Sequence, residues 1–269
     1  MFVSEKINIT VFVVGYNESY FLEKCLHSVK EFDEILYFDL QSTDDSVEIA
    51  KKYTDKIYII PKEEFVEIVH YKYIDKASND WVMILDPDEV VDNELYSYLE
   101  ENFYNIIQNP IYGAIQVPWK FYFKNVKLKG TPWGYCNSKY LLVNKQKFEF
   151  KPIIHQGRKI KNGFNIYKIN DEKNRIVHHY WMSSITSLVN KHLRYLKREG
   201  ESKYDFGLKT SLVKIIFTPF TQFYYSYISR EGYKDMFLGF MLSLFWAWYQ
   251  TNAQIQLMKY TIRKSRNDK

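Results

Sequence analysis

The chain has 269 residues, 46% hydrophobic and 26% charged, enough for one large folded domain with a substantial appendage. That balance excludes a disordered chain. Two cysteines, Cys25 and Cys136, are too few for a disulfide framework or a cysteine-built zinc site, and they fit a reducing, cytoplasmic setting. A net charge of +5 does not single out nucleic acid as a partner, whereas 24 Tyr and 19 Phe suit stacking on sugar rings or a membrane interface.

The first residues show no basic segment, apolar stretch and cleavage site in succession, so no signal peptide is expected. Ile9 to Val14 is a β-branched and aromatic run that predicts a buried strand. Gly15-Tyr16-Asn17-Glu18 breaks it, and Phe21, Leu22, Cys25, Leu26 and Val29 follow at helical spacing. Glu34 to Asp39 predicts a second strand, Gln41 to Asp44 a polar turn that caps a short helix, and Ile57 to Ile60 a third strand stopped by Pro61. Residues 64–77 predict a helix, and Trp81 to Leu85 a fourth strand that ends at Asp86. Strand and helix alternating at this spacing predict an α/β fold, a mostly parallel sheet flanked by helices, with ligands beyond the carboxyl ends of its strands. Asn17, Glu18, Asp39, Asp86 and Asp88 all fall at such ends.

From Ile111 to His179 short β-like runs alternate with polar turns. From Ser183 onward the chain predicts helices. Ile185, Leu188, Val189, His192, Leu193 and Leu196 form an apolar stripe capped by Ser183 or Ser184 and stopped by Gly200. Residues 212–228 and 235–260 predict two more helices, rich in aromatics. The expected division is a catalytic domain over 1–182 (a donor-binding half, 1–110, and an acceptor half, 111–182) and a helical extension over 183–269. Lys191, Arg194, Lys197 and Arg198 oppose an apolar face, which together with the aromatic helices suits peripheral contact with an anionic membrane. Packing on the catalytic domain or on a second subunit is the competing reading. The longest apolar run, Met236 to Tyr249, is shorter than the roughly 20 residues of a spanning helix.

The segment Asp86-Pro87-Asp88-Glu89 carries the chemistry. Cleaving a sugar–diphosphate bond develops negative charge, and a hard divalent ion such as Mg²⁺ or Mn²⁺, held by carboxylate oxygens, stabilises it. Taken alone, an Asp-x-Asp turn is as well explained as a solvated acidic turn before a helix opened by Asp92 and Glu94. The other polar strand ends tip the balance toward a metal site.

In order and spacing, four segments resemble glycosyltransferase family 2: Val13 to Glu18; Cys25-Leu26 with Ser28-Val29; Phe38-Asp39 with Ser42 to Ser46; and Asp80 to Glu89. Looser likeness continues at Ile154-His155-Gln156, Val177-His178-His179 and Arg194-Tyr195, and is nearest to the lipopolysaccharide-core glucosyltransferase branch. The resemblance implies a GT-A fold, a nucleotide-diphosphate sugar donor (usually UDP-linked), a divalent metal and inversion at the anomeric carbon. By position it implies Tyr16, Asn17, Glu18, Asp39 and Asp44 around the nucleoside and Lys72 toward the diphosphate. Asp86 would face the ribose or metal, and Asp88 would be the direct metal ligand. One of His178 and His179, which face opposite ways in a strand, would complete the metal shell or touch the leaving phosphate, His178 being the one singled out. The acceptor implied is a cell-surface glycan or a lipid-linked sugar.

One position departs from the branch. Gln156 stands where its relatives carry glutamate, and an amide takes no proton at neutral pH. Glu89, Glu149, Asp171 and Glu172 are then the carboxylates available as general base. An inactive, membrane-docked scaffold is a second reading. A sugar nucleotidyltransferase is a third, disfavoured because Tyr16-Asn17-Glu18 is not a Gly-rich basic loop. Oligomeric state is left open by the sequence.

Overall fold

The computed structural model describes residues 6–135, 137–152, 158–170 and 172–267. Strand β1 (Ile7–Gly15) is buried at every residue but Asn8. Helix α1 (Ser19–Ser28) buries Leu22, Cys25 and Leu26 against the sheet, one turn apart on one face. β2 (Phe32–Asp39), α2 (Ser46–Ala50), β3 (Ile57–Ile59), α3 (Val66–Tyr73) and β4 (Trp81–Leu85) follow in the alternation that the sequence predicts. β1 pairs in parallel with both β2 and β4, and β3 pairs in parallel with β2.

The resulting order, β3-β2-β1-β4, has a direct consequence. The chain leaves β1 toward β2 and β3 on one side, then crosses back to lay β4 on the other. The crevice at such a reversal lies between the loops that follow β1 and β4. Alternation along β1 fills both faces: Ile9, Val11 and Val13 join one core layer, and Phe12 and Val14 the other. This burial on both faces is typical of parallel strands.

After β4 come β5 (Glu89–Val91) and α4 (Asn93–Gln108), then β6 (Tyr112–Phe123), β7 (Val126–Lys127) and α5 (Thr131–Gly134). Next are β8 (Ser138–Asn144), β9 (Phe148–Phe150), β10 (Arg158–Ile160), β11 (Asn165–Lys168) and β12 (Val177–Met182). Asp92 caps α4 by accepting from Glu94 N at 2.9 Å, and Leu95, Leu99, Phe103 and Ile106 form its buried stripe. β8 joins the sheet antiparallel to both β4 and β6, and β12 pairs antiparallel with β5. β9 and β10 form a separate two-stranded sheet. The sheet is thus mixed, mostly parallel in its donor half, and flanked by helices.

Two compact units divide the chain. The first comprises 1–120 and 138–179, and the second 121–137 and 180–269. Residues 121–137, an excursion from the acceptor half, group with the C-terminal helices. Its attachment is visible in the second unit: Lys129 N and Gly130 N each donate to the Asp235 carboxylate at 2.8 Å, and Trp133 packs on Trp181 and Trp246.

The second unit contains α6 (Ile185–Asp205), α7 (Leu212–Tyr224) and α8 (Met236–Asn267). Ser184, with Ser187, makes the capping box that opens α6. Gly200 does not end the helix, which runs on to Asp205. A Cβ at Gly200 would lie 2.5 Å from the Gln256 carbonyl oxygen, so this glycine permits close approach of α8 rather than a left-handed cap. Among the described residues no helix is long and apolar enough to cross a membrane.

Candidate active site

The loop after β1 and the loop after β2 are stitched together by short polar side chains. Asn17 adopts φ 56°, a left-handed conformation that asparagine tolerates. Its Oδ1 accepts from Thr43 N at 2.8 Å, and its own N–H donates to Ser42 Oγ at 2.9 Å. Glu18 N donates to Ser46 Oγ at 2.9 Å and Ser19 N to Asp44 Oδ2 at 3.0 Å. Burial would raise the Asp44 carboxyl, but hydrogen bonds from Ser46 and Ser19 outweigh it and hold the group down at about 2. Asp39 is buried at the end of β2 and accepts from Ser42 N at 2.8 Å. Gly15 precedes this loop because a Cβ there would meet the Tyr37 hydroxyl at 2.6 Å. Tyr16 is half-exposed, with Lys62 Nζ 2.7 Å from its hydroxyl and 3.9 Å from its ring centroid.

The loop after β4 is closed from both ends. Asp86 N donates to Glu89 Oε2 at 2.8 Å, and Glu89 N donates to Asp86 O at 2.9 Å. The Cys25 thiol donates to the same Asp86 carbonyl at 3.5 Å. Glu89 is fully buried, and Lys139, projecting from β8, pairs with the oxygen that accepts from Asp86. The other Glu89 oxygen has no hydrogen-bond partner among the described residues. Burial, only partly offset by Lys139, pushes the Glu89 carboxyl up. Asp86 ends below its ordinary value, because the charges of Lys139, His179 and Arg158 outweigh the upward push of burial.

Asp88 points to β12. His179 Nε2 lies 3.2 Å from Asp88 Oδ2, within hydrogen-bond distance. The imidazole lies parallel to the Trp119 ring, 4.7 Å between centroids. The histidine beside Asp88 is therefore His179 and not His178, the one singled out from the sequence. Successive strand residues face opposite ways, and His178 Nε2 instead sits 2.8 Å from Asp92 Oδ2 at the start of α4.

Other expected residues lie elsewhere. Lys72 is exposed and paired with Glu63 at 2.6 Å. His70, two positions earlier on α3, turns inward: it is buried, edge-on to Phe12, and held neutral by burial, its pKa lowered to about 3. Glu149 stands on β9 in a partly exposed pair with Lys151 at 3.1 Å. His155, Gln156 and Asp171 lie outside the described residues, as does the side chain of Glu172. Sequence reading missed Lys139, His70 and Trp119. Lys139 carried a signal, a lysine within a strand that pairs on both sides.

Among the described residues no group of three or more His, Cys, Asp or Glu side chains encloses a metal ion. Asp88, with a partly exposed carboxylate, offers hard oxygen ligands for an open coordination shell. That donor fits a hard divalent ion such as Mg²⁺ or Mn²⁺, whose remaining ligands would have to come from outside the protein.

The four motifs of the sequence thus lie on a parallel sheet with acidic loops on either side of its reversal point. The chain belongs to Glycosyl transferase family 2, whose model matches residues 10–158. An uncharacterized glycosyltransferase of Rickettsia typhi is 27% identical over 96% of this chain and 89% of its own length. The lipopolysaccharide core biosynthesis glycosyltransferase LpsC of Rhizobium meliloti is 20% identical over 91% of this chain and 89% of its own. Among solved structures, the glucosyl-3-phosphoglycerate synthase of Mycobacterium tuberculosis, in complex with Mg²⁺ and UDP, aligns with a TM-score of 0.34 and 17% identity, covering 42% of this chain and 43% of that one.

Proposed function

We propose that this glycosyltransferase moves a sugar from a nucleotide-diphosphate donor, UDP-linked by family habit, to a hydroxyl of a cell-surface glycan or lipid-linked acceptor, with inversion and with help from a divalent ion. The observation that carries the reading is the pairing of Asp88 with His179 at the mouth of the β1/β4 crevice, opposite the Asn17–Glu18 loop. The donor's nucleoside would lie over the loops after β1 and β2, with Asp39 and the backbone of Tyr16 to Glu18 at its base or ribose. Its diphosphate would then reach the Asp86–Asp88 turn.

Asp88, with Asp86 as a nearer-ribose or water-mediated partner, would hold the ion. When bound, Mn²⁺ or Mg²⁺ supplies positive charge at the leaving diphosphate. The protein's own residues do the remainder. His179, fixed by Trp119, orients Asp88. Glu89 and Lys139 fix the backbone of Asp86. Glu89 is fully enclosed, so an acceptor hydroxyl does not reach it, and we read it as a positioning residue rather than the base. Glu149 is committed to Lys151 on a separate sheet. The relative named for lipopolysaccharide core biosynthesis supports a cell-surface glycan as the acceptor class.

The test is thermal stabilisation and donor hydrolysis with Mn²⁺ and a panel of UDP-, GDP- and TDP-sugars. One nucleotide should stabilise the protein only with metal present, and Asp88→Ala should abolish that shift while leaving the apo melting temperature within a degree or two. No nucleotide binding under any metal would sink the proposal.

A further inference from the structure

We infer that the outer faces of α7 and of the first half of α8 bind the interfacial region of an anionic phospholipid bilayer. The inference concerns the second unit alone and holds whatever sugar the active site transfers.

On α7, Leu212, Ile216, Phe220 and Tyr224 recur every fourth residue, and each is more than half exposed. On α8 a ridge at spacings of three and four recurs: Phe237, Met241, Leu244 and Trp248 are all exposed while Leu242, Ala247 and Tyr249 turn inward. α8 carries no charged residue from Met236 to Gln250. Two helices of one unit thus both turn apolar and aromatic ridges to solvent after satisfying their own packing. Isolated apolar side chains on a surface are ordinary, but ridges of this kind mark an interaction site.

Charge decides the occupant. Between residues 206 and 267 the only acidic residues are Glu231 and Asp235. Glu231 is paired with Lys234 at 2.6 Å, and both oxygens of Asp235 accept backbone N–H groups. Lys209, Lys214 and Arg230 flank the α7 ridge in sequence. A two-fold contact of these helices with those of a second copy would bring the cations together, with neither Glu231 nor Asp235 free to meet them. Lipid headgroups of negative charge meet them directly, and aromatic rings with Leu, Ile and Met side chains suit the acyl boundary beneath. Among the described residues no helix is fit to span the bilayer, so the contact is peripheral. The sequence pointed to the basic face of α6 together with the two aromatic helices that follow it. Of these, α7 and α8 carry the contact, because α6 buries Leu188, His192 and Leu196 inside the unit and leaves only Ile185 and Leu193 of its stripe exposed.

The test is flotation of the full chain at low salt with vesicles of phosphatidylcholine alone and with about one-third phosphatidylglycerol. The expected result is binding to the anionic vesicles only. Ile216→Ser, Phe220→Ser and Phe237→Ser should each weaken it by about tenfold, which corresponds to about 1.4 kcal/mol of lost apolar transfer. Ile111→Ser, exposed on the other unit, should leave it unchanged. Unaltered melting temperatures certify that the variants fold. Failure to float, binding that the three variants do not weaken, or light scattering that shows these variants breaking a dimer of a chain that does not float, would each overturn the inference.

Discussion

Lys139 and Glu89 meet in an ion pair from which solvent is almost absent, with the carboxylate 0% and the ammonium 10% exposed, and the carboxylate oxygen they share also accepts the N–H of Asp86. The pair is therefore a support for the acidic turn. A buried ion pair adds little net stability over an apolar replacement, but removing one partner strands the other. Lys139→Met should lower unfolding free energy by about 3–5 kcal/mol in urea denaturation. Adding Glu89→Gln to it removes the stranded charge and should recover part of that loss. The double variant should nonetheless bind metal and nucleotide more weakly than the native chain, because the turn has lost its fixed acceptor.

The two adjacent histidines allow a paired experiment. His179→Ala removes the partner of Asp88, while His178→Ala removes the partner of Asp92 at the α4 cap. Partners that orient a ligand typically govern metal affinity by about 10–100-fold. His179→Ala should weaken Mn²⁺-dependent UDP binding within that range, read by calorimetry. His178→Ala should leave that affinity within about threefold and instead lower stability by roughly 1 kcal/mol, the size of a capping contribution.

How much of this was readable from residue order alone follows from the range of the interactions. β1, β2, β4 and the polar ends of each were readable because a strand buried on both faces is written as a continuous apolar run. The four-residue acidic turn was readable because its carboxylates are neighbours in sequence. The partners of those residues were not. Lys139 and His179 reach the turn from strands roughly 50 and 90 positions away, and only the sheet order brings them there. Gly200 misled for a local reason: a glycine near the end of an apolar stripe reads as a cap, and the helix that passes over it is distant in sequence. The choice between His178 and His179 turned on strand register, which flips with a shift of one residue.

Acid should unfold the first unit early, through two groups at its core. His70 is buried neutral, its pKa down at about 3 through burial. Between about pH 6.5 and 3 the unfolded chain takes a proton that the folded chain does not, so stability falls as pH falls through that window. Glu34 acts lower down. Burial pushes it up, but Lys56, Thr10 and Ser78 outweigh burial and hold it at about 2. Its contribution is present above about pH 4.5 and is lost as pH falls toward 2. Stability measured against pH should therefore decline from about pH 6.5. His70→Leu should flatten the upper part of that decline. Glu34→Gln should cost on the order of 2 kcal/mol at pH 7 and show a shallower slope below pH 4.5.

Two glycines of the second unit make opposite demands, and Gly→Ala separates them. In a helix interior alanine is favoured over glycine by about 1 kcal/mol, so propensity alone predicts that Gly200→Ala stabilises α6. Sterics oppose it. The added methyl would stand 2.5 Å from the Gln256 carbonyl oxygen and 2.6 Å from its carbon, both backbone atoms of α8 that no rotamer change can move. Separating two packed helices typically costs about 1–3 kcal/mol, and at so short a distance the upper end applies. Gly200→Ala should therefore lower the melting temperature. Gly207, just beyond α6, sits at φ 71° with no atom within 4 Å of the position a Cβ would take. Gly207→Ala meets only backbone strain, roughly 1 kcal/mol, and Gly207→Asn, which tolerates that conformation, should recover most of it. A melting series in which Gly200→Ala stabilised the chain would place α6 and α8 farther apart than the structure has them.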